Sequence, residues 1–589
     1  MDLVISSEVA IDLAGAVAPL SAATDIGDSL NAVADARPCL WLEALGNCGR
    51  AVEPANVYLS IGEALAVIGL LAAFIQVAEP RFRFRLAVAP FPGRRSIYAL
   101  FFAGTVLTVI SSMLPAVPIY LPWPLSLTRS WEATAGVLFI AGLGIMFWRM
   151  TRWAHFSKRN AEQYYLAVVS SIAKGERSTL GQLVIDIGEA IKTIVMLSKQ
   201  AEQIHHTQKQ PPDHMSAAWH FLDLLADPIV ARVLVREGSP TLSVLLSEIH
   251  DQKAYSLHLS TAIKAIVRAG LIDRESIFFR ENEYGSLGRS KTITRAMFSN
   301  YRFVENYDPL GAYNGFSKDM AAADQFKLWQ EMLLIAVEGY IDKGGNAHPA
   351  AFFRAFGTIS HTAMSAVNRI NKTPITDVYD IDETNRADAA GRVFGEILEV
   401  IKRRGAGLRL APTEQLLTTK NNTFLYAVAD GIFEYFSAVS ATGEGWSAIR
   451  SASLAPLFEL FSHGDDRGSP QIQQIREILQ YKMIERVREN LIEGSYHPMT
   501  AKLISLFWLD LDGTMKGTWG EFSRALTEEI RQNFVTAFRS DRDHALSCLS
   551  ENMVFDEKEM VISILQRTKF ANRGQKKIGE LKLNQPAAN

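Results

Sequence analysis

The chain has 589 residues, a net charge of -3 at pH 7, 48% hydrophobic and 21% charged residues. That balance excludes a nucleic-acid-binding polycation and a disordered acidic chain, and the length leaves room for several folding units, each with its own core. The averages conceal an asymmetry, because most of the long apolar stretches lie before residue 150.

The opening twenty residues lack the basic start of a signal peptide, and Glu8 and Asp12 interrupt their apolar run. Three apolar stretches follow, at about 57–78, 97–120 and 133–148. About 20 apolar residues rising 1.5 Å each cross a hydrocarbon core of about 30 Å. The first stretch carries one acid, Glu63; the second is uncharged, with Pro115 and Pro118 near its far end; the third is shorter, with Trp131 and Trp148 flanking it as interfacial anchors do. Each is expected to span a membrane.

Arginine and lysine hold a loop on the cytosolic side. The connection between the first two spans holds Arg81, Arg83, Arg85, Arg94 and Arg95, and Arg149, Arg152, Lys158 and Arg159 follow the third. Only Arg129 lies between the second and third spans, and only Arg37 and Arg50 precede the first. The expected arrangement is therefore a multi-pass protein of the cell's inner membrane, with residues 1–56 outside, a membrane domain at 57–150 and the rest in the cytosol. Cys39 and Cys48 then share an oxidising compartment and are expected to form a disulfide. Cys548, alone in the cytosolic part, reads as a small buried apolar residue.

Beyond residue 151 apolar residues recur every three or four positions, so the fold is expected to be all-α: three transmembrane helices and then an irregular stack of cytosolic helices. Turn-rich, acidic sequence at 371–388 divides it into subdomains at 151–375 and 390–565, followed by a basic tail at 566–589 that would lie on anionic headgroups or in solvent. One stretch departs from the helical rule. Two helices followed by a β-hairpin near 276–295 resemble a winged helix, with Arg280, Arg289, Lys291 and Arg295 within reach of phosphates. The stretch has no groove-reading signature, so nucleic acid is not an expected partner.

The stretch "FWLDLDGTMKGTWGEF", from Phe507 to Phe522, invites two chemical readings. It resembles the D-x-D-G-T start of haloacid dehalogenase-type phosphatases, with Asp510 as nucleophile and Asp512 as acid/base. That fold needs further catalytic residues on a parallel α/β sheet, and the chain ends too soon after Asp512 to supply one. The same stretch resembles a calmodulin-type calcium loop, whose ligand positions 1, 3, 5 and 12 would be Asp510, Asp512, Thr514 and Glu521. Met515 and Gly517 stand where that loop needs its turn glycine and an apolar residue. Calcium is thus the only cofactor the sequence suggests, against a plain acidic turn. His250 and Asp251, with His220 upstream, faintly resemble the metal-dependent HD phosphohydrolases.

These readings converge on a membrane-anchored helical adaptor or sensor that binds protein partners at the inner face and is not an enzyme. The alternatives are a membrane-tethered, metal-dependent phosphohydrolase and an oligomeric channel or pore, for which the membrane lipid and further copies of the chain would be the partners. The topology makes a chemical prediction. Alkylation of the denatured, unreduced chain should modify Cys548 alone; modification of Cys39 and Cys48 without reductant would remove the disulfide and weaken the placement of residues 1–56.

Overall fold

The computed structural model describes residues 61–89, 93–113, 128–152, 154–175, 177–207, 209–285, 291–313, 322–343, 348–370, 372, 382–411, 423–440, 469–493, 517–549, 553–566 and 576–583. They are mostly helical, and the chain divides into two compact units, Met1–Trp153 and Ala154–Asn589. Cys39, Cys48, Pro115 and Pro118 lie outside the described residues.

The first unit contains α1 (Ile61–Val77), α2 (Pro80–Ala87), α3 (Gly93–Met113) and α4 (Thr128–Thr151). Helices α3 and α4 form an antiparallel hairpin. Its register follows from close approaches: a Cβ on Gly104 would lie 3.1 Å from the Phe139 ring, and one on Gly142 would lie 3.0 Å from the Phe101 ring. Ile97, Phe101, Ala135, Phe139, Met146 and Met150 form the buried seam, against which Val67 and Leu71 of α1 pack. The opposite faces carry Phe102, Val137, Ile140 and Phe147, each at least 63% exposed.

Of the three expected spans, two are long and apolar enough to cross a membrane as described: Arg95–Met113 and Thr128–Thr151. Only 28% of each apolar window is buried, whereas the core helix of a water-soluble fold would be largely covered. The span expected at 133–148 begins five residues earlier, which takes Glu132 into the helix. Helix α1 runs 17 residues as described, about 25 Å at 1.5 Å per residue, short of a core of about 30 Å. The arginine-rich connection is not irregular either. Pro80 opens α2 at a position where its missing N–H costs nothing.

The second unit is a helical stack with a small sheet at its end. It runs through α5 (Ala161–Lys174), α6 (Arg177–His206), α7 (Asp213–Leu224), α8 (Pro228–Arg236), α9 (Ser239–Asp251) and α10 (Ser260–Ile272). Next come α11 (Ile277–Gly285), α12 (Thr292–Phe298), α13 (Tyr301–Tyr307), α14 (Ala323–Lys343), α15 (Ala350–Ile370) and α16 (Asp382–Arg404). Then follow α17 (Phe424–Ser440), α18 (Pro470–Glu493), α19 (Gly517–Ser540) and α20 (Arg542–Ser547). Helix α15 packs on both α16 and α17, so helices on either side of 371–388 share a core. The α15–α17 approach is tight: a Cβ on Gly431 would lie 2.7 Å from Phe356 Cβ, and Ser360 Oγ donates to the Gly431 carbonyl at 3.2 Å.

The β-hairpin expected near 276–295 is a correction, because the described part of that stretch is helical: α11 and the start of α12. Glu281 of α11 caps α12, its carboxylate accepting from the N–H groups of Ile293 at 2.8 Å and Thr294 at 2.9 Å. The polar residues read as a solvated hairpin are in part a helix cap supplied from a distance. Strands occur instead at the C-terminus, in an antiparallel sheet of β1 (Met553–Asp556), β2 (Val561–Gln566) and β3 (Lys576–Lys582), ordered β1-β2-β3. The β1–β2 turn is stabilised by Asp556, whose carboxylate accepts from the N–H groups of Lys558 and Glu559, and Phe555 packs on Phe534 and Phe538 of α19. Part of the expected basic tail is therefore strand β3.

Trp329 anchors the middle of this unit: fully buried, stacked near Tyr313 and Phe326, with Nε1 donating to the Leu310 carbonyl at 3.0 Å. Trp329→Ala should cost about 3–5 kcal/mol of stability, read as a lowered denaturant midpoint of the detergent-solubilised chain. A loss within about 0.5 kcal/mol, the usual range for a surface substitution, would mean that this ring cluster is not a core.

Candidate functional site

The histidine–aspartate pair is placed by the end of α9. His250 Nε2 lies 2.6 Å from the Ala296 carbonyl, which can only accept, so Nε2 carries the proton. Nδ1 is left to accept from the Tyr255 hydroxyl at 3.2 Å, and Asn300 Nδ2 donates to the same hydroxyl at 2.9 Å. Asn300 also caps α13 through its Oδ1. Both imidazole nitrogens are thus occupied in tying α9 to α12 and α13. Asp251 is exposed and accepts from Ser247, and His220 lies instead beside Trp219 and Asp223. The three residues are not brought together. Among the described residues no group of three or more histidine, cysteine, aspartate or glutamate side chains could hold a metal ion.

Of the calcium-loop residues, Glu521 is exposed on α19, whereas Asp510, Asp512 and Thr514 lie outside the described residues. Cys548 is buried, 3.8 Å from His544 Nε2. Burial pushes its thiol up to about 11, so at neutral pH it is the protonated, unreactive form.

A charged joint that the sequence did not single out lies where α13 meets α15. Asp308 ends α13 in the left-handed region, with φ 49°, and opens the turn Pro309–Ala312. Its Oδ2 accepts from Lys264 Nζ at 2.8 Å and Arg354 Nε at 3.2 Å. One turn earlier, Glu305 Oε2 accepts from the Ala351 N–H at 3.0 Å, in the first turn of α15. Burial raises the Glu305 carboxyl above the ordinary carboxylate range, opposed by the Ala351 N–H, Arg354 and His348 and reinforced by Asp308. The arrangement fastens the end of α13 to the first turn of α15 and to Lys264 of α10. The cue in the sequence is "ENYDPLG", an acid pair ahead of a Pro-Gly turn.

In the first unit the structure gives Arg85 a role beyond its charge. It is 7% exposed, and Nη1 donates to the carbonyls of Met150 at 3.3 Å and Thr151 at 3.4 Å. These are unpaired C-terminal carbonyls of α4, at the negative end of its dipole. Arg81 pairs with Glu79, while Arg83 and Arg95 are exposed. The backbone of Arg94 lies in α3. At the other end of the hairpin Glu132 is 5% exposed, and the register sets it level with Thr108 and Ser111, which are also buried.

Comparison with family models, with curated proteins and with solved structures gives no match.

The Glu305 carboxyl gives a signed pH prediction. A folded-state value above the unfolded one means that the folded chain holds this proton more tightly, so the group's contribution is present at low pH and is lost as pH rises through the raised value. Glu305→Gln cannot ionise, so its stability relative to wild type should rise over the window that begins near the ordinary carboxylate value and ends at the raised one. A difference that is flat or falls over that window, measured by denaturant unfolding, would contradict the assignment.

Proposed function

We propose that this chain is a membrane-anchored adaptor or sensor whose helical second unit meets protein partners at the inner membrane face. The observation that carries the proposal is the α3–α4 hairpin. Its seam is closed by Phe101, Phe139 and two glycines, its outward faces are apolar, and arginines gather at one end, with Arg129 alone at the other. By the rule that basic residues stay inside, that end faces the cytosol, as does everything after Thr151. A first span at 57–78 would complete an odd number and leave residues 1–56 outside.

Support for binding rather than catalysis comes from how the second unit uses its ionisable groups. His250, Asp308 and Glu529 join helices: Arg488 meets Glu529 through two parallel hydrogen bonds at 2.7 and 2.9 Å, between α18 and α19. A protein partner is the class that a large helical surface fits best. Glu132 favours a second reading, ion passage through self-associated spans, because carboxylates inside membrane helices are usually functional.

Protease added to inverted membrane vesicles should remove the second unit, whereas protease added to intact cells should leave it whole, and alkaline carbonate should leave the uncut chain in the pellet. Release of the chain by carbonate, or cleavage of residues 154–589 from outside the cell, would overturn the proposal.

A further inference from the structure

The arginine-bearing end of the hairpin is a built corner. Arg85 is committed to the α4 carbonyls and so pins α2 across the end of α4. Phe84 is buried, and Phe82 and Leu86 pack on the hairpin core. With those side chains turned in, Arg81 and Arg83 are left exposed. Just past the end of α4, the Arg152 guanidinium lies 4.0 Å from the centroid of the Trp148 ring, and that of Arg149, in the last turn, lies 5.2 Å away. Trp148 is 46% exposed beside the outward-facing Phe147. Arg95 enters at the same level, because it precedes Phe101 by as many residues as Trp148 follows Gly142. Glu79 is the one carboxylate at this end among the described residues, since Glu63 and Glu132 stand at the far ends of their helices.

We propose that this corner binds the phosphate-bearing headgroup of an anionic phospholipid, whose acyl chains lie along the apolar outward faces of α3 and α4. The inference rests on the reading of those helices as membrane spans. Guanidinium groups recognise phosphate oxygens with paired N–H donors, and a guanidinium stacked on an indole keeps its N–H edge free for that contact. Trp148 occupies the depth at which tryptophan anchors to headgroups. The cation of a zwitterionic headgroup would be brought against the same arginines, so the corner selects net negative charge.

The test uses the full chain in a non-ionic detergent, loaded with equal amounts of dioleoylphosphatidylglycerol and dioleoylphosphatidylcholine and read by native mass spectrometry. Wild type should retain the glycerol lipid about 25-fold over the choline lipid, in line with a factor of about five for each of Arg83 and Arg152 at a membrane surface. Arg83→Gln with Arg152→Gln should bring the ratio to within about twofold. Arg83→Lys with Arg152→Lys, which keeps the charge, should preserve a clear preference and so separates lost charge from lost folding. Equal retention of the two lipids by wild type would overturn the proposal, as would an undiminished preference in the glutamine variant. Complete displacement of the lipid by an equal concentration of inorganic phosphate would also overturn it, in favour of a simple anion site. Carbonate extraction of the same membranes tests the spanning reading separately: a chain that stays in the pellet but shows no lipid preference refutes only the corner site.

Discussion

The apolar outward faces that α3 and α4 leave exposed are the constraint on which the first unit depends. Side chains such as Phe102, Val137, Ile140 and Phe147 cannot be covered by the hairpin itself, because its seam is already filled by Phe101 and Phe139 against the glycines that let the two backbones approach. In water such a surface is an aggregation site; in hydrocarbon it costs nothing, and the helical hydrogen bonds leave few backbone groups to satisfy. The few that remain are at the helix ends, and Arg85 answers two of them at the terminus of α4.

The same device recurs through the second unit. Helix ends there are closed by acids and amides that reach in from elsewhere: Glu281 onto α12, Glu305 onto α15, with the more local Asp227, Asn300 and Asp541 on α8, α13 and α20. The contacts of Glu281 and Glu305 tie an unpaired donor to another element, so local helix order and tertiary order form together there. Among the described residues, several acids that look available in the linear sequence are taken up in this way. They are already engaged at joints, and one of them, Glu305, holds its proton more tightly because it is buried there.

That economy bears on how the motifs are understood. His250 and Asp251 are adjacent in sequence but diverge in space, one inward to Tyr255 and Ala296, the other to the surface. Metal ligation needs convergence from several helices, and imidazole nitrogens already spent on Ala296 and Tyr255 do not provide it. The acidic stretch 510–521 stands differently: Glu521 is exposed on α19, and Asp510, Asp512 and Thr514 lie outside the described residues.

By itself, the sequence determined what depends on periodicity and on the partition of charge: a helical protein, apolar helices that include 97–113 and 133–148, most of the nearby arginines collected at one end of them, and a buried Cys548. Those features are local sums over neighbouring residues, so they survive without a structure. Only the tertiary structure decided that residues 277–285 are helix, because the capping of α12 by Glu281 depends on a fold-level meeting of two segments. It likewise placed β3 beside β2, although residues 567–575 separate them in the chain, and it turned Arg85 from one cation among several into the cap of α4. The charged joint of Asp308, Lys264 and Arg354 spans three separate segments. No window of the sequence contains it, because the energy that specifies it comes from shared burial and not from spacing.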